Sequence, residues 1–223
     1  MSPRFQGMMP QLGIGTELIY AFVIILCCLI IYFATKELYN ITKHQGIRYF
    51  RLSFLFFAIA LFFRSFIKFV LILFNSRTLF DIAPRAFAGV TTFIFMYFSL
   101  IAIFYLLYSL IWKKDKKNLG IYLMHLLALV ITIITILLGN ILIYIILNVL
   151  ILILILYLIY QKKSKKKSGL YFIYLLLLVF WIFNILDIFI PNFLQSLQLI
   201  IYFVSIGIFF VILYRVLTKI GSK

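Results

Sequence analysis

Seven apolar stretches follow one another along the chain with only short polar breaks between them, at 16–36, 50–74, 87–112, 119–138, 141–160, 170–190 and 193–217. Each has roughly the 20 residues that a helix needs to cross the hydrocarbon core of a bilayer. Hydrocarbon offers backbone N–H and C=O groups no partner, so a segment that crosses it must satisfy them internally, as a helix does. Together the stretches use most of the 223 residues and leave no length for a separate water-soluble domain. The composition, 66% hydrophobic and 12% charged, also excludes a soluble fold, for which about 45–50% and 25% are usual. The chain therefore reads as an all-α integral membrane protein: one domain of seven transmembrane helices over residues 1–223, multi-pass in the cell membrane. The opening MSPRFQGMMPQLGIGTE lacks the basic stretch, apolar core and small-residue cleavage site of a removable signal peptide. The first apolar stretch is expected to be a retained helix.

The breaks alternate in charge. TKHQGIRYFR (42–51), KKDKK (113–117) and QKKSKKK (161–167) are basic, whereas NSRTLFDIAPR (75–85), Gly139-Asn140 and the surroundings of Pro191 are mixed or uncharged. Of the 21 Lys and Arg residues, Arg4, Arg77 and Arg85 alone lie in the second set of breaks and the N-terminal end. Lys and Arg accumulate in short cytoplasmic loops, which places the N-terminus outside and the C-terminus in the cytoplasm and requires an odd number of helices. The formal net charge of +16 is then accounted for by cytoplasmic helix ends against anionic lipid headgroups, with no nucleic acid partner. Lys162, Lys163, Lys165, Lys166 and Lys167 are the densest such contact, read as topology determinant and lipid contact. The loop TKHQGIRYFR is unusually varied for this chain, so His44, Arg48 and Arg51 are candidate contacts for a cytoplasmic partner.

An internal repeat is visible in the rarer residues. YFSLIAIFYLLYSLIWKK (97–114) aligns without gaps with YFVSIGIFFVILYRVLTK (202–219); LIY at 18–20 matches LIY at 142–144, and GIRYF (46–50) matches SGLYF (168–172). Helices 1–3 pair with 5–7 in the same direction, a 3+1+3 parallel repeat with the fourth helix as inversion linker. This plan resembles, in architecture, the SWEET sugar transporters and PQ-loop proteins and, more distantly, microbial opsins and seven-helix receptors. Pro10-Gln11 precedes the first helix instead of lying within the membrane, and the matching place in the second half carries Gly139-Asn140. Retinal chemistry would need a lysine in the middle of the seventh helix, which has only Lys219 at its end.

The charges within the apolar stretches carry the functional reading. In LFFRSFIKFV (61–70), Arg64 and Lys68 share one helical face through their i, i+4 spacing. A charge at a helix centre costs about 2.5–3.5 kcal/mol on insertion scales and marks a partner or a function. At ~1.5 Å per residue from the cytoplasmic entry, Arg64 lies ~21 Å, Lys68 ~27 Å and Asp187 ~26 Å along their helices. Asp187 is thus the acid at their level, and the repeat sets Leu186 opposite Arg64 and Asp187 opposite Ser65. The expectation is an Arg64–Asp187 pair with Lys68 as surplus cation, in a wet outward-facing vestibule also lined by Asn184 and Gln198. Two readings stand: a structural lock between helices, or a site for a small anionic or polar ligand. Gln195, Thr91, Thr92 and Glu17 lie at the same level.

Elsewhere polar signals are thin. His125 reads as a histidine hydrogen-bonded within the fourth helix's inner face, Asn148 as interhelical glue, and the adjacent Cys27 and Cys28 as buried hydrophobes. With His44 and His125 far apart and no GxSxG or HExxH sequence, neither an enzyme nor a metal or other cofactor is expected. The order of functional expectation is small-solute transporter, then receptor or sensor acting through a separate cytoplasmic partner, then accessory subunit of an oligomer or larger membrane complex.

Overall fold

The computed structural model describes residues 9–75, 83–111, 119–139, 141–163, 169–189 and 195–221, with side chains over 15–66, 89–111, 119–139, 142, 144–161, 172–187 and 196–218. Seven helices account for these residues: α1 (Met9–Thr42), α2 (Gln45–Asn75), α3 (Ala83–Ile111), α4 (Leu119–Leu138), α5 (Ile141–Lys163), α6 (Gly169–Phe189) and α7 (Gln195–Gly221). Six contain windows long and apolar enough to cross a membrane, and α6 contributes the shorter apolar segment Phe172–Asp187 among the described residues. The protein is an all-α, polytopic membrane protein.

The helices outrun the apolar stretches that mark them. α1 continues to Thr42 and α2 starts at Gln45, so the expected loop TKHQGIRYFR is mostly helix. Only Lys43 and His44 leave the helical path, Lys43 with φ 49°. The Lys43 N–H donates to the Tyr39 carbonyl at 2.7 Å and closes α1; the His44 carbonyl accepts from the N–H of Ile47 (2.9 Å) and Arg48 and opens α2. Polarity in the sequence marks where the chain leaves hydrocarbon, not where the helix ends, because a helix continues wherever its own hydrogen bonds do. At the far end of α4, Gly139 takes φ +60°, the left-handed conformation in which glycine commonly closes a helix.

Each helix packs on its neighbours in chain order, and α7 closes on α1; α3 also touches α5. α3 is the inner helix: every residue from Leu100 to Leu110 is buried, and 72% of its membrane window is buried against 22% for α4. Ala58, Ala60 and Ala102 are buried, and small side chains of this kind let helix backbones approach closely where lipid supplies no hydrophobic drive to associate. Aromatic rings join α2, α6 and α7: Phe180 meets Phe209 at 4.5 Å, and Phe57 lies 5.3 Å from Phe180 and 6.2 Å from Phe209. Such pairs add about 0.5–1.5 kcal/mol each to plain burial.

α5, aliphatic along its whole length, is nonetheless two-sided. Tyr144, Asn148, Ile151, Ile155 and Ile159 are buried, while Ile146, Leu150, Ile153 and Tyr157 are exposed, the spacing of one helical face. The triplets α1–α3 and α5–α7 share a packing order but not an environment. Phe104 and Phe209, which the expected repeat aligns, are both buried, yet Ala102 is buried where Gly207 is exposed.

Candidate functional site

Four helices bring polar side chains to one end of the bundle, the end at which α1 and α7 begin and α2 and α6 finish. Arg64, late in α2, donates from Nη2 to Asp187 Oδ2 of α6, and the same nitrogen lies 3.5 Å from Glu17 Oε1 of α1. The second Asp187 oxygen, Oδ1, accepts from Gln198 Nε2 of α7 at 3.0 Å, and that amide also donates to Tyr202 Oη at 2.9 Å. Gln198 and Tyr202 are one turn apart, which sets them on a single face. The Tyr202 ring stacks on Tyr20 of α1 at 4.4 Å, so the line from Glu17 to Tyr202 returns to the helix on which it starts.

The cluster is closed. The side chains of Arg64, Glu17 and Asp187 are 16%, 11% and 3% exposed, so the wet vestibule expected from sequence is a buried ion-pair network. Taking charges out of water is repaid only when each is paired and hydrogen-bonded, and here one guanidinium nitrogen, Nη2, meets both carboxylates. Among the described residues Arg64 meets two acids; the surplus cation expected at this level, Lys68, has its side chain outside the described residues. Glu17 was placed at the right level by sequence but was not recognised as a partner of Arg64.

The expected site residues separate as follows. Arg64, Asp187 and Gln198 come together directly. Asn184, one turn before Asp187, donates to its own helix at the Phe180 carbonyl (3.1 Å) and joins Arg64 on the wall of a small cavity. Lys68 lies on α2 one turn beyond Arg64, and its side chain is outside the described residues, as are those of Lys162 and Lys163; Lys165, Lys166, Lys167 and Pro191 fall outside them altogether. At the opposite end of the bundle His44 and Arg48 are exposed, whereas Arg51 lays its guanidinium over the Tyr32 ring at 4.4 Å.

The cavity beside the cluster has a volume of about 30 Å³ and is lined by Arg64, Ser99, Tyr144, Asn148, Trp181 and Asn184 among others. Asn148 does not act as glue between helices: its Nδ2 donates to the Tyr144 carbonyl of its own helix at 2.8 Å. The bond between α5 and α3 is made instead by Tyr144 Oη, which donates to Ser99 Oγ at 2.9 Å. Ser109 and Tyr174 similarly join α3 to α6 at 2.8 Å. Nothing in the sequence singled out these hydroxyls, because Tyr and Ser recur throughout the chain.

A second polar node lies on α4. His125 Nδ1 pairs with Tyr97 Oη at 2.8 Å and Nε2 with Tyr105 Oη at 3.0 Å, so both ring nitrogens are satisfied across the α3–α4 contact. Cys27 and Cys28 are free thiols, both buried. Among the described residues no three His, Cys, Asp or Glu side chains gather as metal ligands would.

A protein of Archaeoglobus fulgidus described as "Uncharacterized protein" is 31% identical to the chain over 149 residues, covering 65% of this chain and 64% of that protein. The chain thus spans less than two thirds of that relative's length. No family model matches the chain, and no solved structure matches it.

Proposed function

We propose that the protein is a permease of the cell membrane that moves a small polar solute, with the Glu17–Arg64–Asp187–Gln198 cluster as its binding site and the N-terminal end of α1 facing outward. The observation that carries this reading is the cluster itself. It joins α1 and α2 to α6 and α7, and charged residues inside a bundle of spanning helices mark substrate or ion paths. Two carboxylates already hold the Arg64 guanidinium, so an anion would have to displace one of them there, whereas a neutral or cationic solute would not. A solute that breaks the Arg64–Asp187 contact would part the helices of the two halves, and the closed cluster is then the occluded state of an alternating cycle. The bundle contributes no catalytic chemistry in this reading.

The test is uptake into proteoliposomes of labelled sugars, polyols, amino acids, monovalent cations and small carboxylates, with Arg64→Gln and Asp187→Asn alongside. Wild-type uptake of a neutral or cationic compound above empty vesicles, lost in both variants that still purify as monodisperse protein, is the expected result. If a compound binds and raises Tm but never crosses, the protein is a receptor built on the same cluster. Uptake unchanged in both variants removes the cluster from the path.

A further inference from the structure

Next to the ion-pair network, the cavity between α2, α3, α5 and α6 has polar chemistry of its own. On one wall is the Arg64 guanidinium, whose contacts with both carboxylates run through Nη2 and which carries five N–H donors in all. On another is Asn148, 2% exposed. Its Nδ2 is engaged by the Tyr144 carbonyl at 2.8 Å, and this orients the amide; its Oδ1 is buried with no hydrogen-bond partner. Buried acceptors in native structures are almost always satisfied, and leaving one bare carries a desolvation penalty. The remaining walls include the rings of Phe57 and Phe95, which carry no hydrogen-bond donor.

A cavity holds a water when it offers about 10–15 Å³ of free volume and two to four polar partners. This one offers about 30 Å³, with Arg64, Asn148, Asn184 and Ser99 on its walls. Its polarity also selects. The occupant must accept from a guanidinium on one side and donate to an amide oxygen on the other. A carboxylate cannot donate, and an ammonium cannot accept. A hydroxyl does both.

We propose that the cavity between Arg64 and Asn148 is a binding site for a single hydroxyl-bearing group, supplied either by water or by the end of a small alcohol. The bound hydroxyl carries the polar line from Glu17, Arg64 and Asp187 across to Asn148 and to the Tyr144–Ser99 bond, so that α5 and α3 join the four helices of the cluster. This holds whether or not the protein transports a solute.

The test is pulsed hydroxyl-radical labelling of the purified protein, read by mass spectrometry. With an X-ray pulse as the radical source, an ordered water in the cavity is ionised in place, loses a proton to become hydroxyl radical, and labels the rings around it. Tyr144 and Phe95 are therefore expected to label several-fold faster than Tyr174, which is as deeply buried as Tyr144 but does not line the cavity. A second arm loads the protein with glycerol and desalts it before the pulse. Unchanged labelling of Tyr144 and Phe95 identifies water as the occupant, and reduced labelling with retained glycerol identifies the alcohol. Tyr144 and Phe95 labelling no faster than Tyr174, with no glycerol retained, overturns the proposal. Asn148→Leu gives an independent reading by sign: a lower Tm and loss of the excess labelling are expected, whereas a higher Tm means that a bare acceptor was relieved and no ligand was there. Failed solute uptake leaves these readings intact.

Discussion

Arg64 sits between two carboxylates, and its removal should do more than delete one ion pair. Arg64→Gln leaves Glu17 and Asp187 without the guanidinium between them, and breaking a buried pair from one side is destabilising by about 3–5 kcal/mol. The double variant Arg64→Gln with Asp187→Asn should lose less than the sum of the two single changes, with a coupling of about 0.5–3 kcal/mol in a double-mutant cycle. Reversible unfolding in mixed micelles measures all three, and strict additivity would show that the contact does not form. Arg64→Lys keeps the charge and, because both carboxylate contacts run through the single nitrogen Nη2, should recover part of the loss. At His125 the stakes are smaller. His125→Phe removes two tyrosine contacts, and interhelical hydrogen bonds in membrane proteins average about 0.6 kcal/mol, so a loss of about 1 kcal/mol is expected in the same assay.

At the scale of the helix, burial in this molecule is a matter of side, not of hydrophobicity. Phe203 and Phe209 stand less than two turns apart on α7; the first is 74% exposed and the second fully buried. Phe209→Ala opens a cavity where α2, α6 and α7 meet and should lower stability by about 3–5 kcal/mol. Phe203→Ala trades lipid contact for lipid contact and should change Tm little. Equal effects would mean that α7 is rotated from the orientation described. The helical continuation through Arg48 and Arg51 belongs to this scale too. Those residues are legible in the sequence as a charged break, but not as helix, because a polar run looks the same whether it is a loop or a helix standing out of the membrane.

For the whole molecule, the ring of helices closed by α1 and α7 leaves both chain ends to be assigned to sides of the membrane, and the Lys and Arg distribution assigns the C-terminus to the cytoplasm. A C-terminal green fluorescent protein fusion should fluoresce, and Thr218→Cys should label with a membrane-impermeant maleimide in inside-out vesicles only. Background is low because Cys27 and Cys28 are buried; labelling in right-side-out vesicles would invert the topology. Much of this architecture could be read in one dimension. Membrane residence, the places of the seven helices and the level of Arg64 against Asp187 depend on segment length, local polarity and distance along a helix, all of which a sequence states directly. The roles of Glu17, Asn148 and Tyr144 could not be read in that way. Helix rotation decides them, and a core as apolar as the surrounding lipid leaves little contrast along the sequence to show which side of a helix faces inward. Only the packed bundle set Arg64 between two acids, placed α3 at the centre, and brought Asn148 to the wall of a cavity, because those outcomes follow from how seven nearly uniform surfaces fit together.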